Sequence, residues 1–87
     1  MPKLIRQLAE RRKGTLGEDE DWWRLMRRED GSLFVEHEWS HTTLKTLQTD
    51  AGTRCVEAAA FLAEDHPWAS EARQALEAYL AEQARNA

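Results

Sequence analysis

Two aromatic and branched segments, Trp22 to Arg28 and Ser32 to Trp39, are separated only by Glu29, Asp30 and Gly31, and this constrains the chain more than any other feature. Runs of this kind joined through an Asp-Gly step specify an antiparallel β-hairpin. With a three-residue loop and glycine in the left-handed bulge position, Arg28 pairs with Ser32 and the preceding residues follow in step. Arg24 then faces Glu36, Met26 faces Phe34 and Trp22 faces Glu38, so charges and apolar groups are matched across the strands. The other face holds Trp23, Leu25, Leu33, Val35, His37 and Trp39, with Arg27 near the loop, and is the expected core face. A two-residue loop would set Arg24 against His37 and Leu25 against Glu36, losing both the charge match and the alternation.

The flanking segments read as helices. Pro2 suits a first turn, Leu4, Ile5 and Leu8 form an apolar stripe at helical spacing, and Gly14 can end the element, which predicts a helix over 3–13. Thr15 to Asp21 reads as a linker loop. Thr42 to Gln48 is open between a short strand and a turn of helix, and Thr49 to Thr53 supplies capping residues. Cys55, Ala58, Ala59 and Leu62 repeat at helical spacing and predict a helix over 54–65. Asp65-His66-Pro67 breaks and restarts the chain. Trp68, Ala72, Ala75, Leu76, Tyr79 and Leu80 then share one face of a helix over 67–84, with Arg73 and Glu77 paired outside it. The expected fold class is α+β: an N-terminal helix, an antiparallel β-hairpin over 22–39 with a possible third short strand, and two C-terminal helices packed on the hairpin. All of it is expected to form one small domain, residues 1–87.

Size and charge narrow the functions. A chain of 87 residues commits most of its apolar side chains to the core and leaves little material for a deep pocket. One cysteine, Cys55, excludes an internal disulfide framework and points to a reducing compartment. With no signal-peptide core and no membrane-length apolar run, the expected location is the cytoplasm, without membrane contact. Nine arginines against three lysines, with thirteen alanines, match the bias of GC-rich bacterial genomes. Lys3, Arg6, Arg11, Arg12 and Lys13 precede an acidic run, Glu18, Asp19, Glu20 and Asp21, and the two are expected to neutralise one another across the turn. That run and a net charge of −4 oppose a nucleic-acid partner.

The one motif that carries chemistry is His37-Glu38-Trp39-Ser40-His41. On a helix, H-E-x-x-H sets two imidazoles on one face to bind zinc while the glutamate activates a metal-bound water, and the pattern resembles that of the zinc metallopeptidases. The resemblance implies His37 and His41 as metal ligands and Glu38 as the catalytic group. Here, however, the motif continues a strand, where residues four apart lie about 13 Å apart along the axis. The two histidines are therefore not expected to hold one ion. Thr42, Thr43, Leu44 and Lys45 stand where an extended motif would bring glycine and a third histidine. Glu57 and Glu64 remain as third ligands, and a bare zinc site could draw on His37, His41, Cys55 or His66. Cys55 itself reads as a small buried hydrophobe on the second helix.

The function expected is a protein–protein interaction or regulatory module rather than an enzyme. Its binding surface would be Trp22, Arg24, Met26, Phe34 and Glu36, an aromatic, methionine and arginine mixture of the kind interfaces favour. The partner would be another protein or a second copy, with no cofactor. The competing assignment for that face is burial beneath the first helix through Leu4, Ile5 and Leu8. The alternative function is a small zinc-binding protein or minimal metallopeptidase using residues 37–41.

Overall fold

The computed structural model describes residues 1–14, 18–64 and 69–86. Four strands, β1 (Lys3–Lys13), β2 (Asp19–Arg27), β3 (Leu33–Thr43) and β4 (Gln48–Glu57), form an antiparallel sheet in sequence order, followed by α1 (Ala58–Ala63) and α2 (Ser70–Arg85). None of the described helices is long and apolar enough to cross a membrane.

The central hairpin has the register its side chains dictate: Arg24 faces Glu36, Met26 faces Phe34 and Trp22 faces Glu38. Gly31 takes φ 91°, and the loop closes through Gly31 N–H to Arg28 O at 2.9 Å and Arg28 N–H to Ser32 O at 2.8 Å. Asp30 Oδ1 accepts from Ser32 Oγ (2.7 Å) and Ser32 N–H (2.8 Å), a local ring of the kind that pins turns. The hydroxyl bond first and the backbone bond second hold the Asp30 carboxyl below its usual pKa. A lowered folded value means that this contribution to stability is present above the unfolded pKa and is lost as pH falls through the folded one. Ser32→Ala is therefore expected to move Asp30 upward toward an ordinary aspartate, read from its side-chain carboxyl carbon shift in an NMR titration. An unchanged midpoint would remove the hydroxyl from this account.

The predicted N-terminal helix is strand β1, and the reason lies in two bulges. Ladder pairing with β2 slips between Leu4 and Arg6 and again between Gln7 and Ala9. Each slip adds a residue, so Ile5 and Leu8 both reach the core face although they are three apart. Three-residue spacing in a strand with bulges therefore imitates helical spacing. The charge complementarity read from the sequence is a ladder: Lys13 faces Asp19, Arg12 faces Glu20 and Arg11 faces Asp21. The linker loop expected at Thr15 to Asp21 is replaced from Asp19 onward by β2, and Thr15, Leu16 and Gly17 lie outside the described residues.

A second correction concerns residues 42–65. β3 runs to Thr43, a turn with Leu47 at φ 56° follows, and Gln48 opens β4. The expected capping residues Thr49 to Thr53 are strand, and the helix expected over 54–65 is only Ala58–Ala63. Cys55 is exposed on β4 rather than buried on a helix. The last helix is Ser70–Arg85, with Ala72, Leu76 and Tyr79 buried and Arg73 to Glu77 paired outside at 3.3 Å. Asp65, His66, Pro67 and Trp68 lie outside the described residues.

Both helices lie on one face of the sheet. Leu25, Val35, Trp23 and Leu8 meet Phe61 of α1 and Ala72, Leu76 and Tyr79 of α2 in one buried cluster. α2 runs along β1, where Arg6 lies 4.8 Å from the Tyr79 ring centroid and Arg27 Nη2 donates to Tyr79 Oη at 2.9 Å.

Candidate functional site

In an antiparallel ladder, directly facing residues share a face. Trp22, Arg24, Met26, Phe34 and Glu36 therefore lie together on the side away from both helices. The helix once expected to cover them does not exist, and Ile5 and Leu8 of β1 turn to the opposite face. Arg24 bridges two carboxylates, Nη1 donating to Glu36 Oε1 at 3.1 Å and Nη2 lying 2.8 Å from Glu38 Oε1. The bond to Glu38 does most to hold the guanidinium pKa above its usual value; burial opposes it and Glu36 adds to it. Phe34 is buried, only 6% exposed, because Arg28 lies 4.5 Å over its ring while forking onto Glu57 at 2.6 and 3.0 Å. Trp22 and Met26 are half-buried, and Leu4, facing Met26, is 53% exposed.

A second constellation sits on the helix-bearing face. Asp21 is 2% exposed. His37 Nε2 lies 2.8 Å from its Oδ1, His41 Nε2 lies 3.2 Å from each carboxylate oxygen, and Arg11 Nη1 lies 3.7 Å from Oδ2. Because a carboxylate only accepts, each imidazole presents its Nε2–H to Asp21. His37 stacks on Trp23, with centroids 4.7 Å apart and planes 11° from parallel, and meets Trp39 at 5.5 Å. A cleft of about 460 Å³ opens here between Trp39, His41, Asp50 and Arg54.

The H-E-x-x-H segment is strand throughout. Its two imidazoles lie on one face and both reach Asp21. Glu38, one residue on from His37, points to the other face and serves Arg24, so it cannot act on anything the histidines hold. Cys55 shares that other face with Glu36. Glu57 is engaged by Arg28, and Glu64 lies 3.4 Å from Arg54. Among the described residues no group of three or more His, Cys, Asp and Glu side chains is arranged to hold a metal ion. His66 is outside those residues.

Asp21 is the residue that sequence reasoning missed. Its signal was its parity with Trp23 and Leu25, which puts it on the buried side as soon as β2 is extended past the tryptophans. No family model matches the chain, and no curated protein or solved structure shows significant similarity to it.

Proposed function

We propose that the chain is a non-enzymatic, cytoplasmic protein-interaction module that docks a partner protein on the helix-free face of its sheet. The observation that carries the reading is that both described helices pack on one side, so that no described helix lies over Trp22, Met26 and the exposed Leu4. Glu10, Glu20, Glu36, Glu38 and Glu57 share that face with Arg12, Arg24 and Arg28. Each of these arginines is within ion-pair distance of a carboxylate: Arg12 of Glu10 at 2.8 Å, Arg24 of Glu38 at 2.8 Å and Arg28 of Glu57 at 2.6 Å. The acidic excess favours a partner that surrounds an apolar patch with lysine or arginine, and it opposes a nucleic acid. A single cysteine and a charge-dense chain support the proposed location in the cytoplasm.

Two variants test the reading. Trp22→Ser should weaken capture of a partner from a lysate of the source organism by about thirtyfold, the loss typical of an aromatic hot spot. Its stability cost should be about 1–2 kcal/mol, since the indole is only partly covered. Leu4→Ser, at a more exposed position, should reduce capture with almost no change in stability. Retention of the captured protein should also fall with added salt. If both variants retain it like the wild type, or if Trp22→Ser unfolds the chain as a core substitution would, the reading is wrong. Phe34 is unsuitable for this test because it is buried beneath Arg28.

A further inference from the structure

The sheet has two outer edges, and they are treated differently. The β1 edge carries two bulges and the cations Lys3, Arg6, Arg11, Arg12 and Lys13, and α2 lies along it. These are the devices by which proteins prevent a strand edge from pairing with another chain. The β4 edge has neither bulge nor lysine, and its charges, Asp50, Arg54 and Glu57, are of mixed sign. Over Gln48–Glu57 there is no proline, no lysine and no register shift against β3, and eight of the ten residues are exposed. No described strand pairs with its outer side. A long, regular, bare edge is a template for strand addition.

We propose that β4 pairs antiparallel with β4 of a second copy, making one continuous eight-stranded sheet across a two-fold axis at Gly52. The register follows from two requirements. Facing residues must lie on the same side of the sheet, which restricts the pairing to shifts of two residues. An isologous contact must also be self-complementary. With Gly52 facing Gly52, Asp50 of each copy faces Arg54 of the other, giving two opposite-charge pairs from one strand sequence. Shifting the register by one allowed step sets Asp50 against Val56, or Arg54 against Gln48, and loses both pairs. Asp50 and Arg54 are both exposed on the histidine-bearing face. Arg54 touches Glu64 of its own chain only at 3.4 Å, with 59% of its side chain exposed, so little holds it from the second copy. At the axis Gly52 brings no side chain, and Trp39 already fills the space above it: a Cβ there would lie 2.7 Å from the indole. The two clefts above Asp21 then meet across the axis, each gaining Asp50 and Arg54 of the other copy on its rim.

This contact is independent of the helix-free face, and its test can fail separately. Sedimentation equilibrium of the full chain over a range of concentrations should show a monomer–dimer equilibrium. Asp50→Arg sets arginine against arginine, and Arg54→Asp sets aspartate against aspartate, so each should weaken the dimer by about tenfold or more. Asp50→Arg combined with Arg54→Asp in one chain restores the pairs and should restore the dimer. An equimolar mixture of the two single variants should form a heterodimer tighter than either homodimer, and this outcome also shows that both variants are folded. Trp22→Ser should leave the dimer unchanged. A wild type that stays monomeric overturns the proposal. So does a dimer indifferent to the single reversals, or one not rescued by the double reversal or by mixing.

Discussion

Trp23→Ala should unfold a large share of the protein at temperatures the wild type tolerates. The indole is 2% exposed at the centre of the cluster formed by the sheet and both helices. Truncating a buried tryptophan costs about 3–5 kcal/mol in lost transfer energy and unfilled cavity. Total stability for a chain of this length is roughly 4–13 kcal/mol, so one substitution removes about a quarter of it or more. His37 loses its stacking partner in the same change. Urea unfolding checks the result through a lower midpoint at unchanged slope. The neighbouring Trp22→Ser, on the opposite face, should cost clearly less, at about 1–2 kcal/mol. Equal losses at the two tryptophans would mean that both faces of the sheet are core.

Asp21→Ala should be nearly as damaging, at about 2–4 kcal/mol. Removing one member of a buried, hydrogen-bonded charge cluster typically costs about 3–5 kcal/mol, because the partners are left desolvated and unpaired. The cost here is lower because His41 and Arg11 keep side-chain exposures of 43% and 35% and can turn to water. His37, at 23%, cannot do so as easily. Asp21 and His37 should therefore be coupled: the loss in the Asp21→Ala, His37→Ala double variant should fall short of the summed single losses by about 1 kcal/mol or more. Additive losses would show that the cluster stabilises through packing against Trp23 and Trp39 alone.

The hairpin was legible in the sequence because three independent constraints agreed there: the Asp-Gly loop, the charge match of Arg24 with Glu36, and an uninterrupted alternation of apolar residues. β1 was not legible because its two bulges convert a period of two into Ile5-to-Leu8 spacing, and Gly14, with φ 97°, ends a strand as readily as a helix. The basic-then-acidic order from Arg11 to Asp21 did carry the information, since cross-strand neutralisation is what a hairpin provides. β4 was hidden for a different reason. An exposed edge strand has little burial to impose alternation, so its threonines, Asp50 and Gly52 passed for caps and its Cys55 and Val56 for the start of a helix. The candidate binding face followed from the hairpin and was legible with it. The Asp21 cluster was not, because Asp21 sits in a run of four acids that reads as solvated loop, and only the extension of β2 past Trp22 turns it inward.

The strict sequence order of the strands also affects how the molecule is made. Each strand pairs with its immediate predecessor, so the sheet can assemble hairpin by hairpin from contacts close in sequence as the chain emerges from the ribosome. Its cover cannot. The sheet is complete once Glu57 has been synthesised, but Leu76 and Tyr79, which close over Leu25 and Val35, and Glu82, which reaches back 3.3 Å from Arg6, belong to the last helix. Until α2 docks, the sheet presents an uncovered apolar face, because Leu76 and Tyr79 are what close over Leu25 and Val35. α2 thus acts as the clasp of the fold: it holds shut, from far along the chain, a core whose other half is built from the first strands.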